Sequence, residues 1–92
     1  MIQVNEYFDG KVKSLGAHNQ KGRATVGVIA PGQYEFGTGS VEIMTVIWGE
    51  FSVQLPGGNW VTYKKDESFR VEKGVIFKID ANDTAAYLCQ YL

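Results

Sequence analysis

Disulfides are the first thing this sequence excludes: it carries one cysteine, Cys89, and a single thiol closes no loop within a chain. No CxxC pair and no Cys/His cluster of zinc-binding spacing is present either. A lone cysteine in a strand reads as a small core residue. Long apolar runs are also missing. The longest, Ala24 to Ala30 and Met44 to Trp48, fall far short of the ~20 residues that cross a bilayer. The start, Met1-Ile2-Gln3-Val4-Asn5-Glu6, has neither the basic opening nor the apolar stretch of a secretory signal, so a cytoplasmic location is expected. Charge of one sign is not concentrated anywhere. Nine Lys plus Arg stand against ten Asp plus Glu without runs, which leaves no basic stripe for a phosphate backbone and argues against nucleic acid as a partner.

What is present suits a small core. Ninety-two residues at 45% hydrophobic make one domain, 1–92, near the lower end of what folds alone. Every clear periodic stretch alternates with period two, and the breaks carry Gly, Pro, Asn or Asp, as in a strand meander. The alternation predicts strands at Gly10–Leu15, Arg23–Ile29, Tyr34–Thr38, Glu42–Ile47, Phe51–Leu55, Val61–Lys64, Ser68–Val71, Val75–Ile79 and Ala85–Tyr91. Ala30-Pro31-Gly32-Gln33 suits a type II turn, and Pro56-Gly57-Gly58-Asn59 and Ala81-Asn82-Asp83-Thr84 suit hairpin loops. His18-Asn19-Gln20-Lys21-Gly22 reads as a polar, mobile loop near one mouth, with His18 solvated. So many short strands in so short a chain need closure or face-to-face packing, which predicts an all-β antiparallel barrel or jelly roll. The segment from Asn5 to Val12 would then cover one end.

One stretch narrows the fold. Glu42-Ile43-Met44-Thr45-Val46-Ile47-Trp48-Gly49 resembles the second half of the first cupin motif. Its glycine makes the tight turn between two strands, and Glu42 projects inward with Met44 and Val46. Metal-binding cupins carry a His-x-His pair a few residues earlier, where this chain has Phe36 and Thr38, or Glu35 and Gly37. Of the second motif only Gly74 matches, and Phe77 takes the histidine place. One carboxylate against the usual three or four ligands predicts a cupin-like barrel without its metal histidines, and no metal cofactor.

The whole chain resembles the pyrimidine/purine nucleoside phosphorylase family. The matching stretches are Asn5-Glu6-Tyr7-Phe8, Gly10 to Ser14, Gly22 to Val28, Pro31 to Phe36, Glu42-Met44-Thr45-Val46 and Tyr87 to Leu92. It departs at Val71-Glu72-Lys73-Gly74, where the family resembles a Val-Pro-Gly turn. The resemblance implies that a nucleoside and inorganic phosphate give ribose 1-phosphate and a free base. It also implies broad base tolerance and a homodimer.

Such chemistry needs a dianion site, groups that tolerate an oxocarbenium-like sugar, and something to receive the departing base. No covalent nucleophile is required. For phosphate the leading donor is Arg23, whose guanidinium binds two oxygens and stays charged; the alternative is a rim arginine in water. Lys11, Lys13, Arg70 and Lys78 are weaker cations, and Thr25, Thr38 and Thr45 can offer hydroxyls. For ribose the choice is Glu42, either accepting from sugar hydroxyls or serving as a structural carboxylate paired to Arg23 or a tyrosine. Tyr34, Phe36, Phe77 and Tyr91 offer flat faces to a base or simply fill the core. Trp48, Trp60 and the outward residues Ile43, Thr45 and Ile47 are candidates for a dimer surface. Two other readings stay open: a binding module that holds a sugar or nucleoside without turning it over, and a dimeric accessory subunit with a filled barrel.

Overall fold

Alternation decides which side chains of each strand are buried. In Glu42–Trp48 it buries Glu42, Met44 and Val46 and leaves the residues between them partly exposed. The same rule holds in Ala85–Tyr91 and Val12–Asn19. The computed structural model describes residues 1–92 and contains ten strands: β1 Gln3–Tyr7, β2 Val12–Asn19, β3 Gly22–Ile29, β4 Gly32–Gly37, β5 Glu42–Trp48, β6 Glu50–Gln54, β7 Trp60–Lys64, β8 Ser68–Val71, β9 Ile76–Ala81 and β10 Ala85–Tyr91. There is no helix, so no helix is long and apolar enough to cross a membrane.

The strands form two antiparallel sheets, one in the order β1-β2-β3-β10-β5-β8 and one in the order β4-β9-β6-β7. One core lies between them. Val12, Ile29, Met44 and Val46 meet Phe51, Val53, Phe77 and Ile79 from the other side. Each fully buried side chain of this kind contributes roughly 1.5–3 kcal/mol. Both sheets keep free edges, so the cupin-like architecture is realised as a two-sheet jelly roll and not as a closed barrel.

Most expected strands are found within two residues, as at β4, where Tyr34–Thr38 was expected and Gly32–Gly37 forms. Four expectations need correction. The end segment contains a strand, β1, which pairs with β2 from Gln3↔Gly16 to Tyr7↔Val12. The His18 loop is not a loop: β2 and β3 pair as far as His18↔Arg23 and Asn19↔Gly22, leaving only Gln20 and Lys21 to turn. The turn is tightened by the Lys21 N–H, which donates to Asn19 Oδ1 at 2.8 Å. Ala81 to Thr84 does not close a hairpin but carries the chain from β9 in one sheet to β10 in the other.

The type II geometry is found between β6 and β7 and not before β4. Gly32 has φ 148°, far from the ~80° such a turn requires. At Leu55-Pro56-Gly57-Gly58 the Gly58 N–H donates to Leu55 O at 3.0 Å with Gly57 at φ 72°, and proline occupies the preceding position. Gly49, φ 73°, makes the predicted tight turn, and it sends the chain from one sheet to the other. A Cβ there would also lie 3.0 Å from Thr84 O.

Candidate active site

Cross-strand partners in an antiparallel sheet share a face, with Cβ atoms roughly 4.5–5.5 Å apart. The register therefore lays out the inner face of the larger sheet in rows. One row runs His18–Arg23–Tyr91–Glu42–Val71 across β2, β3, β10, β5 and β8. The next runs Gly16–Thr25–Cys89–Met44–Phe69, and the third Ser14–Gly27–Tyr87–Val46. Polar side chains are thus gathered at one end of one sheet. Gly27 belongs to this layout because the Tyr87 ring lies across it, so that a Cβ would come within 2.5 Å of the ring.

Between the sheets is a cavity of about 250 Å³, at the small end of ligand sites, which run roughly 300–1,000 Å³. Its polar wall is Ser14, Thr25, Glu42, Tyr87, Cys89 and Tyr91; Phe36 and Phe77 face it from the other sheet, and Tyr7 and Phe8 line it from the end of β1 and the turn after it. Phe36 and Phe77 pair across β4 and β9 with ring centroids 5.8 Å apart. These two rings line the same cavity as Glu42.

Glu42 is 9% exposed. Its hydrogen-bond partner is the Cys89 thiol, which donates to Oε1 at 3.3 Å. No cation lies within 4.0 Å and no tyrosine hydroxyl bonds to it, so neither Arg23 nor a tyrosine pairs it. Burial raises its pKa above the ordinary 4.5, with the Cys89 hydrogen bond and the more distant charge of Arg23 pulling the other way. Burial, reinforced by the charge of Glu42, pushes the Cys89 thiol up to about 12, and burial likewise takes the Tyr91 phenol up to about 12. Both therefore keep their protons at neutral pH. The Tyr91 hydroxyl lies 3.2 Å from Thr25 Oγ1.

Arg23 does not line the cavity. Its guanidinium lies over the Tyr91 ring, 4.5 Å from the centroid, and has no carboxylate within 4.0 Å. Other candidate cations are engaged on the outside: Lys13 with Glu6 at 3.1 Å, Arg70 with Glu72 at 2.7 Å and Lys78 with Glu35 at 4.0 Å. Thr45 Oγ1 lies 2.7 Å from Ser68 Oγ, also at the surface.

The structure brings Glu42, Phe36, Phe77 and Tyr91 to the cavity, with Arg23 stacked on the last of them. It takes two candidates elsewhere. Tyr34 is buried and donates its hydroxyl to Ala30 O at 2.8 Å, tying down the bend before β4. Thr38 donates to Glu72 O at 2.7 Å and accepts from the Val75 N–H at 3.1 Å, which pins the loop between β8 and β9. Sequence reasoning missed Tyr7, Phe8, Tyr87 and Cys89. The last two share the inward phase of β10 with Tyr91, a period-two signal that was available.

The donor set does not fit a transition metal. No three His, Cys, Asp or Glu side chains converge anywhere in the fold.

The model of the pyrimidine/purine nucleoside phosphorylase family matches residues 2–91. A protein of Tolumonas auensis named pyrimidine/purine nucleoside phosphorylase is 51% identical over 92 residues, 99% of each chain. A solved structure of a Vibrio parahaemolyticus protein of unknown function superposes with a TM-score of 0.94 at 48% identity, covering 100% of this chain and 99% of that one. An RmlC-like cupin from Shewanella frigidimarina shares the fold, with a TM-score of 0.74 at 16% identity over 98% of this chain and 82% of its own. With the family model covering residues 2–91 and a relative of that name half identical over the whole chain, this chain belongs to the pyrimidine/purine nucleoside phosphorylase family.

Proposed function

We propose that this chain catalyses metal-independent phosphorolysis of purine and pyrimidine nucleosides, acting as one unit of residues 1–92. The observation that carries the reading is the row Arg23–Tyr91–Glu42. It sets an unpaired guanidinium and a buried carboxylate on either side of one aromatic ring at the edge of an aromatic cavity. Arg23 receives phosphate, since a planar guanidinium offers two parallel N–H donors to its oxygens. Glu42 accepts from ribose hydroxyls and stabilises positive charge as the C1′–N bond lengthens. The bonding pair leaves with the base, a phosphate oxygen forms the new C1′–O bond, and the proton that phosphate gives up balances the one the base nitrogen gains. Phe36 and Phe77 meet the base through flat faces that accept either ring class. The polar wall discriminates at the sugar and the aromatic wall tolerates the base.

The chain acts as a homodimer through the outer face of the larger sheet. There Val4, Leu15, Val26 and Leu88 follow one another in register, with the first three exposed, and a second copy covers this uncharged row. Leu15→Glu is expected to halve the mass seen in sedimentation; an unchanged mass places the interface elsewhere.

Base release from inosine and uridine is expected only when phosphate is added, and to survive chelator. Arg23→Gln should raise the KM for phosphate about tenfold while leaving that for nucleoside nearly unchanged. Stabilisation by nucleoside without any phosphate-dependent product would mark a binding module instead.

A further inference from the structure

The turn between β1 and β2 is built in an unusual conformation for its residues. Phe8, Asp9 and Gly10 have φ of 52°, 56° and 83°. The Gly10 N–H donates to Tyr7 O at 3.1 Å, and the Lys11 N–H to Phe8 O at 3.2 Å. Hairpin turns with two central residues at positive φ favour Asn and Gly. A bulky aromatic there is an outlier, and outliers of this kind persist where the site uses them.

Packing against Tyr34, with centroids 5.0 Å apart, covers only part of the Phe8 ring. Phe8 is 43% exposed, whereas Phe51 and Phe77 are each 2% exposed in the same core. The Phe8 ring lines the cavity and stands at 87° to that of Phe36, with centroids 5.5 Å apart. Two rings at right angles form a corner. A planar base stacked on one meets the edge of the other, and both arrangements are favourable between π-systems. Phe8 thus lines the cavity while keeping part of its surface uncovered, which leaves room for a base to stack on it.

We infer that Phe8 is a base-stacking residue of this site and that the left-handed turn beneath it is kept because it aims the ring; the inference rests on the nucleoside-binding reading above. Phe8 and Phe36 then hold the base while Glu42 holds the sugar. A purine, having the larger face, depends on the corner more than a pyrimidine does.

Equilibrium dialysis of inosine and uridine against wild type, Phe8→Asn and Phe8→Leu tests this directly, with melting temperatures measured alongside. Asn suits the left-handed position and Leu keeps apolar bulk without a flat face. Both variants are expected to bind inosine about tenfold more weakly and uridine less weakened, with Phe8→Asn melting no lower than wild type. In turnover the phosphate KM should not move. Unchanged nucleoside affinity in both variants, with a lowered melting temperature in Phe8→Asn, assigns Phe8 to packing and overturns the inference. A wild type that binds nucleosides but releases no base removes the phosphorylase reading and leaves the dialysis result on Phe8 standing. A wild type that binds neither nucleoside overturns both.

Discussion

The two sheets present opposite chemistry to the space between them. The smaller one shows Tyr34, Phe51, Val53, Phe77 and Ile79, all buried and apolar or aromatic. The larger shows Ser14, Thr25, Glu42, Cys89 and Tyr91 among its apolar residues. Polar groups withdrawn from water are costly unless paired, and here they are paired within their own sheet: Asn5 with Ser14 at 3.2 Å, Thr25 with Tyr91 at 3.2 Å and Cys89 with Glu42 at 3.3 Å. No buried side-chain nitrogen or oxygen lacks a partner. The difference shows a division of labour. The aromatic wall sets the cavity's shape and keeps its dielectric low, and that low dielectric holds the carboxyl of the other wall above its ordinary pKa.

Breaking the apolar wall should have the largest effect and should fall on stability alone. Phe51 is 2% exposed, edge-on to Phe69 at 6.5 Å, and outside the cavity. Phe51→Ala is expected to cost about 3–5 kcal/mol in denaturant unfolding, while the nucleoside KM of the folded fraction stays as in wild type. A shifted KM would mean that the two walls are not separable. The polar wall should respond in the reverse way. Glu42→Gln keeps shape and removes charge, and turnover is expected to fall roughly 100-fold. Its folded-state pKa lies above the unfolded value, so whatever stability Glu42 brings is complete below pH 4.5 and is lost as pH rises through the folded value. At neutral pH the variant should therefore melt no lower than wild type. A lower melting point combined with full turnover would make Glu42 structural.

The same contrast explains what the sequence made legible. Glu42, Met44 and Val46 could be placed inward because a half-buried strand imposes period two on residue type. Phe77 could be found because it stands at the histidine place of the second motif, and Phe36 because one register of the first motif reaches it. β1 was invisible because an edge strand such as Gln3–Tyr7, exposed save for its half-buried middle residue, leaves no alternation to read. The far half of β2, Gly16-Ala17-His18-Asn19, lacks an apolar face and is a strand only through its long pairing with β3. This hid His18 from the row it shares with Arg23. Tyr34 has the same inward phase as Phe36, but phase does not say which end of a strand meets a cavity. Its hydroxyl is held by Ala30 instead.

The smallest expected effect concerns how the polar wall tunes its own acid. The Cys89 thiol is buried, protonated at working pH, and donates to Glu42 Oε1. A donor to a carboxylate favours the charged form, so this contact opposes the upward push of burial on Glu42. In Cys89→Ala the push is opposed only by the more distant Arg23, and the carboxyl pKa moves further up. If turnover needs ionised Glu42, activity rises with pH through that pKa, and the acid limb of kcat/KM in the variant moves to higher pH. Because a thiol is a weak donor, the loss should be only about two- to threefold on the acid side and vanish at alkaline pH. Cys89→Ser, which retains a donor, should return the limb towards the wild-type position, and this separates hydrogen bonding from packing. An acid limb in Cys89→Ala that superimposes on wild type would show that the thiol fills space and does not tune Glu42.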